Sequence, residues 1–279
     1  MEERYTVLVR PLKEILKEEL GNEASRAYGS FDLIGDLAII RVPDGFQDKL
    51  EIVGNALMKL NKSIHGVWAQ VGPVEGDYRI RKLMHVAGEE RSVTVYRESG
   101  CRFELDITAV YFSPRLAHER LRIAQLVSDG ETVFNMFAGI GTFSIIIAKR
   151  KRVIVHSSEI NPAAYQYMAR NIELNKVKER VIPYLRDACD VSAQLHGKVD
   201  RVLMPLPEKA LEFFSCALRS LRSSGWIHVY MHVPYLKGES AADAAAKSSA
   251  SITSGKVVNT IIVREVGPRL LQVVHDVVI

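Results

Sequence analysis

The stretch FNMFAGIGTFS, residues Phe134–Ser144, places two glycines between a strand-like run and a helix-like run. Residues Phe134 to Phe137 end the predicted strand, and Gly139 and Gly141 form a turn before the predicted helix. The first backbone N–H groups of such a helix have no partner within the helix and face a ligand. Ser144 stands where the fingerprint G-x-G-x-x-G has its third glycine, so the stretch disfavours a nicotinamide enzyme.

Strand-like and helix-like runs alternate along the carboxyl-terminal part of the chain. The strand-like runs are GETVFNMF, VIVHSSE, VIPYL, DRVLMPL and WIHVYMHV, and the helix-like runs are TFSIIIAKRK, NPAAYQYMARNIELNK and LEFFSCALRSL. We predict a further helix over AADAAAKSS and a loop over SITSGK before the last strands. This alternation is typical of a doubly wound, mostly parallel sheet, so we expect an α/β domain over residues 113–279.

The amino-terminal part of the chain has shorter signals of the same two kinds. Strand-like YTVLV, LAIIRV, SVTVYR and FELDI alternate with helix-like PLKEILKEEL and FQDKLEIVGNALMKLNKS. A new helix is predicted over SPRLAHERLRIAQLV, whose Ser-Pro start suits a helix amino terminus. We therefore expect a smaller α/β domain over residues 1–112, with the boundary near Phe112.

Composition indicates a soluble globular protein with room for two modest domains. The chain has 279 residues, of which 47% are hydrophobic and 25% charged. No run reaches the roughly 18 apolar residues of a membrane span, and the start MEERYTVLVR lacks an apolar secretory core, so we expect a cytoplasmic protein. Cys101, Cys189 and Cys216 have neither metal-ligand spacing nor a disulfide pattern, and we expect all three to be buried small residues.

Basic residues are clustered, although the net charge is only +4. The clusters are DYRIRKLMH (residues 77–85), SPRLAHERLR (residues 113–122) and KRKR (residues 149–152). Local positive charge of this kind suits a phosphate backbone. We predict RNA contacts for the first two clusters and an ordinary solvated surface for KRKR.

Two acidic residues follow consecutive strands and outline an adenosine-binding site. Glu159 ends the second strand of the larger domain, where a carboxylate accepts hydrogen bonds from both ribose hydroxyls. Asp187 follows the third strand, where a carboxylate accepts from an adenine amino group, although either residue is also a plausible helix cap. Together with the glycine turn they indicate S-adenosylmethionine as the cofactor and the class I methyltransferase fold, with the ligand at the strand carboxyl ends.

These residues belong to longer motifs that identify a family. The chain carries YFSPRLAHER, ETVFNMFAGIGTFSI, INPAAYQYMARNIELNKV and DRVLMPLPEKALEFF, and it ends in GPRLLQVVHDVVI. It resembles the archaeal and eukaryotic tRNA (guanine-37-N1) methyltransferases, which have S-P-R-L-x-x-E-R, D-M-F-A-G-V-G-P-F-S-I, D-I-N-P-x-A and N-L-P-x-x-A-x-E-F. The resemblance extends from about residue 6, whereas larger members have an extra N-terminal domain that recognises the tRNA elbow. It implies transfer of a methyl group from S-adenosylmethionine to N1 of guanosine 37, beside the anticodon of tRNA. We also expect a monomer that needs no metal, although the sequence does not determine the oligomeric state.

The resemblance also assigns roles to individual residues. Glu119 is the expected base for the N1 proton, and Arg79 the expected donor to guanine O6, with Arg81 as the fallback. The expected cofactor contacts are Phe137, Gly139, Gly141, Glu159, Ile160, Asn161, Asp187, Ala188 and Pro205, and the expected substrate contacts are Arg81, Arg115, Arg122 and Pro207. Local alternatives remain open: an ion pair with Arg115 for Glu119, phosphate binding for the arginines, core packing for Phe137, and a turn role for Asn161.

Two positions depart from the family motifs. Asn135 stands where the family has Asp, and Pro205-Leu206-Pro207 stands where it has Asn-Leu-Pro. Proline has neither a side-chain amide nor a backbone N–H, so Pro205 lacks the donors of the family residue. Related enzymes of wybutosine synthesis transfer the 3-amino-3-carboxypropyl group of the same cofactor, but they replace the Arg of S-P-R and lose Leu-Pro. Because this chain keeps Arg115 and Leu206-Pro207, we favour methyl transfer over that reaction and over a non-catalytic RNA-binding role.

Overall fold

The chain forms two compact units. The computed structural model describes Leu12 and residues 14–18, 20–26, 31–41 and 45–279. The first unit extends to Arg115 and the second covers Leu116–Ile279. The sequence places the boundary near Phe112, and the division in the structure falls after Arg115. The strand predicted over YTVLV lies outside the described residues.

A four-stranded sheet forms the centre of the first unit. Its strands are β1 (Phe31–Ile34), β2 (Leu37–Arg41), β3 (Gly66–Glu75) and β4 (Ile80–Gly88), in the order β1-β2-β3-β4. The middle pair is parallel and the outer pairs are antiparallel. The strand-like run LAIIRV predicts β2, whereas β1, β3 and β4 lie outside the strand-like runs of the sequence. Most of β4 lies in DYRIRKLMH, which is interpreted above only as a basic cluster.

Helix α1 (Leu50–Leu60) connects the two parallel strands and covers one face of the sheet. It buries Leu50, Val53 and Leu57, which are spaced at one helical turn and therefore lie on one side of the helix. Leu16, within the helical residues 14–18, is buried in the same core. This helix confirms the prediction over FQDKLEIVGNALMKLNKS, and its apolar face explains why the small unit has its own core.

A separate hairpin completes the first unit. Strands β5 (Val93–Glu98) and β6 (Cys101–Asp106) pair antiparallel around Ser99 and Gly100, which both have positive φ. Such a two-residue turn matches the right-handed twist of the flanking strands. The two strands confirm the predictions over SVTVYR and FELDI.

The second unit is a seven-stranded, mostly parallel sheet with helices. Its elements are α2 (Ala117–Leu126), β7 (Thr132–Asn135), α3 (Thr142–Arg150), β8 (Ile154–Glu159), α4 (Pro162–Leu174), β9 (Val181–Leu185), α5 (Ala188–Gln194), β10 (Val199–Met204), α6 (Ala210–Ser220), β11 (Leu221–Pro234), α7 (Ala241–Ser248), β12 (Lys256–Gly267) and β13 (Leu270–Val278). The strand order is β12-β13-β11-β10-β7-β8-β9, and only the pairs that involve β13 are antiparallel. The predicted fold class and the predicted strand–helix alternation are confirmed.

The strand order places a switch point at the centre of this sheet. From β7 the chain builds outward through β8 to β9, and it then returns to place β10 on the other side of β7. Open α/β sheets bind ligands beyond the carboxyl ends of the strands at such a point. The stretch FNMFAGIGTFS, which begins in β7, leaves the sheet at this position.

The prediction for two of the cysteines was wrong. Cys189 of α5 and Cys216 of α6 form a disulfide, with their Cα atoms 5.2 Å apart. They are separated by 27 positions in the sequence, so their proximity results from the packing of α5 against α6, which no spacing rule reports. Cys101 is buried, as expected, and takes no part in this disulfide.

Two further observations concern membranes and metals. None of the helices in the described ranges combines the length and the apolar composition that crossing a bilayer requires. Within the same ranges, no three His, Cys, Asp or Glu side chains converge in a way that would hold a metal ion.

Candidate active site

The glycine turn, residues 138–141, connects β7 to α3 and requires both of its glycines for different reasons. Gly139 and Gly141 have φ values of 55° and 87°, in the left-handed region that favours glycine. A Cβ atom at Gly141 would lie 3.0 Å from the side chain of Met168, whereas one at Gly139 would meet no atom within 4 Å. Packing therefore restricts Gly141, and the backbone at Gly139 faces open space.

The amino terminus of α3 is available for hydrogen bonding. Its N-cap position is Gly141, and no side chain caps it in the part of the chain that the structure describes. Backbone N–H groups at such a terminus, together with the helix dipole, favour an anionic group such as a carboxylate. The turn therefore offers both space and donors.

Buried hydroxyl and amide groups hold the strands below this turn together. Asn135 of β7 is fully buried and donates through Nδ2 to Ser144 Oγ at 3.0 Å, and Ser157 of β8 donates to the same oxygen at 2.7 Å. These bonds join β7 and β8 to α3. Asn135, which stands where the family has Asp, therefore places a neutral amide in the interior. This amide fixes β7 below the glycine turn.

Glu159, at the carboxyl end of β8, fixes the conformation of the glycine turn. Its Oε2 accepts from the backbone N–H of Gly139 at 2.7 Å, and its Oε1 accepts from that of Asn161 at 2.8 Å. Burial raises the pKa of Glu159, and the backbone hydrogen bonds oppose this shift. Each carboxylate oxygen has two lone pairs, so capacity for the predicted ribose hydroxyls remains after both backbone bonds.

Asn161 and Asp187 are helix caps; a cap is the local alternative given above for Asp187, whereas the alternative given for Asn161 is a turn role. Asn161 Oδ1 accepts from the N–H of Ala163 at the start of α4, and Asp187 Oδ1 accepts from the N–H of Cys189 at the start of α5. The two caps follow adjacent strands, β8 and β9, at the same edge of the sheet. Their contacts with a cofactor stay predictions.

The remaining predicted cofactor residues differ in exposure. Ile160 is 41% exposed after β8, and Ala188 is buried at the start of α5. The ring of Phe137 packs edge-on against Phe213 of α6, with 5.1 Å between the centroids, so the packing alternative for Phe137 is confirmed. Half-buried Pro205 directly follows β10.

Pro207 has a structural position in the turn after β10. It is buried, whereas Pro205 and Leu206 before it are half-buried. A proline has neither a backbone N–H nor a polar side chain, so a contact of Pro207 with a nucleic acid would be apolar. The predicted substrate contact of Pro207 stays a prediction.

Glu119 is buried in α2 with three hydrogen bonds to its carboxylate. Arg122 donates from Nε to Oε2 at 2.7 Å and from Nη2 to Oε1 at 2.8 Å, and Tyr230 donates to Oε1 at 2.6 Å. The ion-pair partner of Glu119 within α2 is Arg122, which lies one helical turn later in the sequence, whereas Arg115 pairs with Asp32 in the first unit. Glu119 is only 6% exposed.

Arg122 has internal partners, and its predicted substrate contact stays a prediction. Besides Glu119, it donates to both carboxylate oxygens of Asp276 in β13, at 2.8 and 3.1 Å. Burial opposes the charge of Arg122, but the bonds to Glu119 and Asp276 outweigh it and raise its pKa. Burial likewise acts against the charge of Asp276, yet bonds from His228 and Arg122 hold the pKa of Asp276 well below its usual range.

His228, in β11, continues this set of contacts. Its Nε2 lies 2.7 Å from Nη1 of Arg201, and its Nδ1 lies 2.6 Å from Oδ1 of Asp276. Because an arginine only donates, Nε2 accepts, and the proton is on Nδ1, which donates to Asp276. Burial lowers the pKa of His228, which is 0% exposed, in agreement with a neutral ring.

Sequence reasoning missed Tyr230, His228, Asp276 and Arg201. The sequence contains a partial signal, because β11 and β13 are rich in apolar residues and His228 and Asp276 are polar positions within them; the two are cross-strand partners. Polar groups at buried strand positions need partners, so each predicts another polar residue nearby. Only the register identifies which one it is.

In the first unit, the two candidate arginines of DYRIRKLMH have different environments. Arg81 is 8% exposed and donates to Asp32 at 3.2 Å and to the carbonyl of Phe112 at 2.9 Å. Arg79 is half-buried in the β3–β4 turn, with its guanidinium 4.1 Å from the centre of the Tyr111 ring. Arg81 thus has a structural role within the first unit, and the predicted substrate roles of Arg79 and Arg81 stay predictions.

Arg115 is the second partner of Asp32. It donates to Oδ1 at 2.7 Å, so this one carboxylate holds two guanidinium groups. The side chain of Arg115 is 36% exposed, in contrast to 8% for that of Arg81. The predicted substrate contact of Arg115 stays a prediction for the exposed part of its side chain.

Two protein-family models match this chain. The family model described as the TRM5/TYW2 methyltransferase domain matches residues 94–248. The chain belongs to the TRM5/TYW2 methyltransferase family. A second model, the TYW2 N-terminal domain, matches residues 12–91. The family resemblance inferred from the motifs is thereby confirmed.

Two curated relatives of this TRM5/TYW2 family member differ in length. The chain is 43% identical to tRNA (guanine(37)-N(1))-methyltransferase Trm5b of Pyrococcus abyssi over 72% of this chain and 59% of the relative. It is 38% identical to tRNA 4-demethylwyosine(37)-methyltransferase Taw21 of Saccharolobus solfataricus over 88% of this chain and 92% of the relative. The chain thus spans about three fifths of the first relative and nearly all of the second.

Solved structures of the family have the same fold. A complex of aTrm5 with tRNALeu covers 96% of this chain at 34% identity with a TM-score of 0.83, and 78% of that chain is matched. TYW2 of Pyrococcus horikoshii in complex with MeSAdo covers 97% of this chain at 25% identity with a TM-score of 0.74, and 98% of that chain is matched. These matches confirm the class I methyltransferase fold with a smaller N-terminal α/β domain.

Proposed function

We propose that this protein transfers the methyl group of S-adenosylmethionine to N1 of guanosine 37 in tRNA. The observation that carries the proposal is the placement of Glu119 relative to the glycine turn. Tyr230, which donates to Glu119, packs its ring against Phe143 with 6.1 Å between the centroids, and Phe143 is the second residue of α3. The buried carboxylate of Glu119 is therefore connected through Tyr230 and Phe143 to the helix that begins at the glycine turn.

The chemistry requires a base because guanine N1 carries a proton. When bound, S-adenosylmethionine supplies an electrophilic methyl on a sulfonium, which leaves as a neutral thioether. Glu119 accepts the N1 proton as the N1–methyl bond forms. Oε1 already accepts from two donors and Oε2 from one, so the free lone pair of Oε2 is the acceptor for that proton. The role of Arg79 at guanine O6 stays a prediction.

The cofactor part of the proposal rests on the residues around the glycine turn. Glu159 would accept hydrogen bonds from the ribose hydroxyls, and Asp187 would accept from the adenine amino group. The backbone N–H groups at the start of α3 would donate to the carboxylate of the methionine part. Ile160 and Ala188 would border the adenine, and Phe137 and Pro205 the methionine side. The open space at Gly139 and the free lone pairs of Glu159 support this fit.

Glu159→Ala should weaken S-adenosylmethionine binding by about 1–3 kcal/mol, the scale for losing hydrogen bonds to a charged group. Isothermal calorimetry of the folded variant measures the change. Glu173→Ala is the matched control, since Glu173 lies on α4 in an exposed pair with Lys178, and its affinity should equal that of the wild type. An unchanged affinity of folded Glu159→Ala would remove this carboxylate from the cofactor site.

The tRNA part of the proposal rests on the β3–β4 turn and the exposed side of β4. Tyr78 is 47% exposed, Lys82 is exposed, and Arg79 lies between them in sequence. Basic and aromatic side chains in this combination suit phosphates and unstacked bases. We propose that this surface binds the anticodon stem-loop.

Neutralising Arg79 and Lys82 together, as Arg79→Gln with Lys82→Gln, should weaken tRNA binding and flatten its dependence on salt. The expected loss is roughly one unit of slope in log affinity against log salt for each phosphate contact. Filter binding at several salt concentrations measures it. The control is Lys151→Gln with Arg152→Gln in KRKR, for which we expect the wild-type slope. A wild-type slope in the first variant would place the RNA surface elsewhere.

A second candidate substrate is 4-demethylwyosine at the same position of tRNA. The match to Taw21 covers 92% of that enzyme, and this chain has Pro205 in place of the Asn of the guanosine-37 motif. Transfer of the aminocarboxypropyl group is a third possibility, since TYW2 has the same fold.

One experiment separates these reactions. The protein is incubated with labelled S-adenosylmethionine and either an unmodified tRNA transcript or tRNA that carries 4-demethylwyosine, and the nucleosides are analysed by mass spectrometry. Our proposal predicts 1-methylguanosine from the transcript. Methylation of the second substrate alone would identify the demethylwyosine reaction, addition of an aminocarboxypropyl group would identify the TYW2 reaction, and binding without product would indicate a non-catalytic protein.

Three expectations of the sequence analysis stay predictions. They are a monomer in solution, a cytoplasmic location, and a reaction that proceeds without a metal. Light scattering tests the first, and turnover in the presence of a chelator tests the last.

A further inference from the structure

A set of buried charged and polar side chains extends from Glu119 across the second unit. We call it the Glu119 network. Its members come from different elements: Glu119 and Arg122 from α2, Arg201 from β10, His228 and Tyr230 from β11, and Asp276 from β13. Burying polar groups costs free energy unless each is paired, and each member of the Glu119 network has a hydrogen-bond partner.

The direction of every hydrogen bond in the Glu119 network follows from chemistry. Arg201 donates to His228, the ring of His228 donates to Asp276, and Asp276 accepts from Arg122 as well. Asp276 therefore receives donors from both sides. His228 and Asp276 face each other directly in the β11–β13 pairing, which fixes the carboxylate toward Arg122.

We propose that Asp276 and Tyr230 are positioning residues for methyl transfer, which hold the carboxylate of Glu119 in place and set how strongly it takes a proton. This inference rests on the proposed role of Glu119 as the base. Asp276 acts through Arg122, whereas Tyr230 acts by direct contact. The two residues are expected to have opposite effects.

Asp276 and Glu119 share the positively charged guanidinium of Arg122. The guanidinium lies between two carboxylates and donates two bonds to each of them. If the charge of Asp276 is removed, Arg122 faces Glu119 alone and stabilises its ionised form more strongly. Glu119 then takes a proton less readily, and the chemical step slows.

The effect of Tyr230 has the opposite sign. Its hydroxyl donates to Oε1 of Glu119 at 2.6 Å and so stabilises the ionised carboxylate. Without this hydroxyl, Glu119 takes a proton more readily. Tyr230 is almost fully buried, so solvent is poorly placed to replace the lost donor.

The charged and titratable groups around Glu119 come from every neighbouring part of the network. They are Arg122 on α2, Tyr230 and His228 on β11, Asp276 on β13, Arg201 on β10, and Glu131 before β7, which pairs with Arg201. The neutral ring of His228 and the Glu131–Arg201 pair add no net charge. Asp276 and Tyr230 are therefore the two groups whose removal changes the environment of Glu119 in opposite directions.

The test compares single-turnover methyl transfer across pH for wild type, Asp276→Asn and Tyr230→Phe. In Asp276→Asn we expect the plateau rate to fall about 10-fold and the acidic limb to move to lower pH by about one unit. In Tyr230→Phe we expect the acidic limb to move to higher pH. Affinities for tRNA and S-adenosylmethionine should stay within about 2-fold of wild type in both variants, because neither residue is assigned a ligand contact.

Two controls separate positioning from a structural effect. Asp276→Glu keeps the charge and should restore the acidic limb to its wild-type position. Asp129→Asn removes an exposed carboxylate paired with Arg152 and should leave both the rate and the acidic limb unchanged. A lower rate with an unmoved acidic limb in Asp276→Asn would mean a structural role and would overturn the proposal.

The variant Tyr230→Phe keeps the proposal testable if Asp276→Asn does not fold, since it keeps the ring that packs on Phe143. An unmoved acidic limb in Tyr230→Phe also overturns the proposal. Titration of the Glu119 carboxylate by 13C NMR, assigned with Glu119→Gln, makes the same comparison without turnover. If wild type methylates neither tRNA but the titration moves as expected, the proposed function is wrong, and only the effect of Asp276 and Tyr230 on how strongly Glu119 takes a proton is supported.

Discussion

Glu119→Gln is expected to slow single-turnover methyl transfer by roughly 10²–10⁴-fold, the usual contribution of a general base. Glutamine keeps the size of the side chain and one acceptor oxygen, but it does not remove the N1 proton at neutral pH. Affinities for S-adenosylmethionine and tRNA should change little. Rapid-quench measurement with enzyme in excess reports the chemical step directly, because slow product release otherwise hides the loss.

The structure adds a condition to this experiment. In Glu119→Gln one amide N–H₂ group faces a donor of Arg122 or Tyr230, so the variant should also be less stable. Rates must therefore be compared at a temperature at which the variant is folded. Glu173→Gln, an exposed control, should retain the wild-type rate. A folded Glu119→Gln enzyme that methylates at the wild-type rate would show that another group or water removes the proton.

Asp32→Ala is expected to destabilise the first unit by about 3–5 kcal/mol, the cost of leaving a buried charge without its partner. Asp32 pairs with both Arg81 and Arg115, and the side chain of Arg81 is only 8% exposed. Without the carboxylate, the guanidinium of Arg81 retains the carbonyl of Phe112 as a hydrogen-bond partner but has lost the negative charge. Urea unfolding measures the free-energy change.

The two tryptophans allow this measurement to be made on one unit. Trp68 lies in β3 of the first unit and Trp226 in β11 of the second, so fluorescence in a Trp226→Phe background reports the first unit alone. Asp129→Ala is the control, because its pair with Arg152 is exposed and should contribute only about 0–1 kcal/mol. Equal stabilities of Asp32→Ala and wild type would contradict the structural role assigned to Arg81.

Arg79 and Arg81 show which contacts cannot be predicted from the sequence. Arg79 and Arg81 occur in one basic cluster, and composition treats them alike. In β4 and the turn before it, however, they have different surroundings: Arg79 stacks on Tyr111, whereas Arg81 is buried beside Asp32. The partner of Arg81 is 49 residues away in sequence, so no local pattern indicates it.

The cysteines show the same limit. Cys189 and Cys216 are brought together by the packing of α5 on α6, and the sequence contains no spacing that predicts their disulfide. Asn161 and Asp187, in contrast, have cap positions that could be predicted, because a cap depends on the chain within a few residues. Local interactions are therefore well predicted here, and pairings between distant elements are not.

The sequence by itself determined the alternation of strands and helices in the second unit, the glycine turn after the first strand of its sheet, and the family motifs. These features depend on hydrophobic periodicity and backbone conformation, which are properties of short segments. Only the tertiary structure decided that Glu119 is paired with Arg122 and Tyr230, that Arg122 also donates to Asp276, and that His228 bonds to Asp276. Those contacts join α2 to strands more than 100 residues later. They depend on strand order and register, which the whole chain sets at once because a shift of one residue turns every side chain to the opposite face.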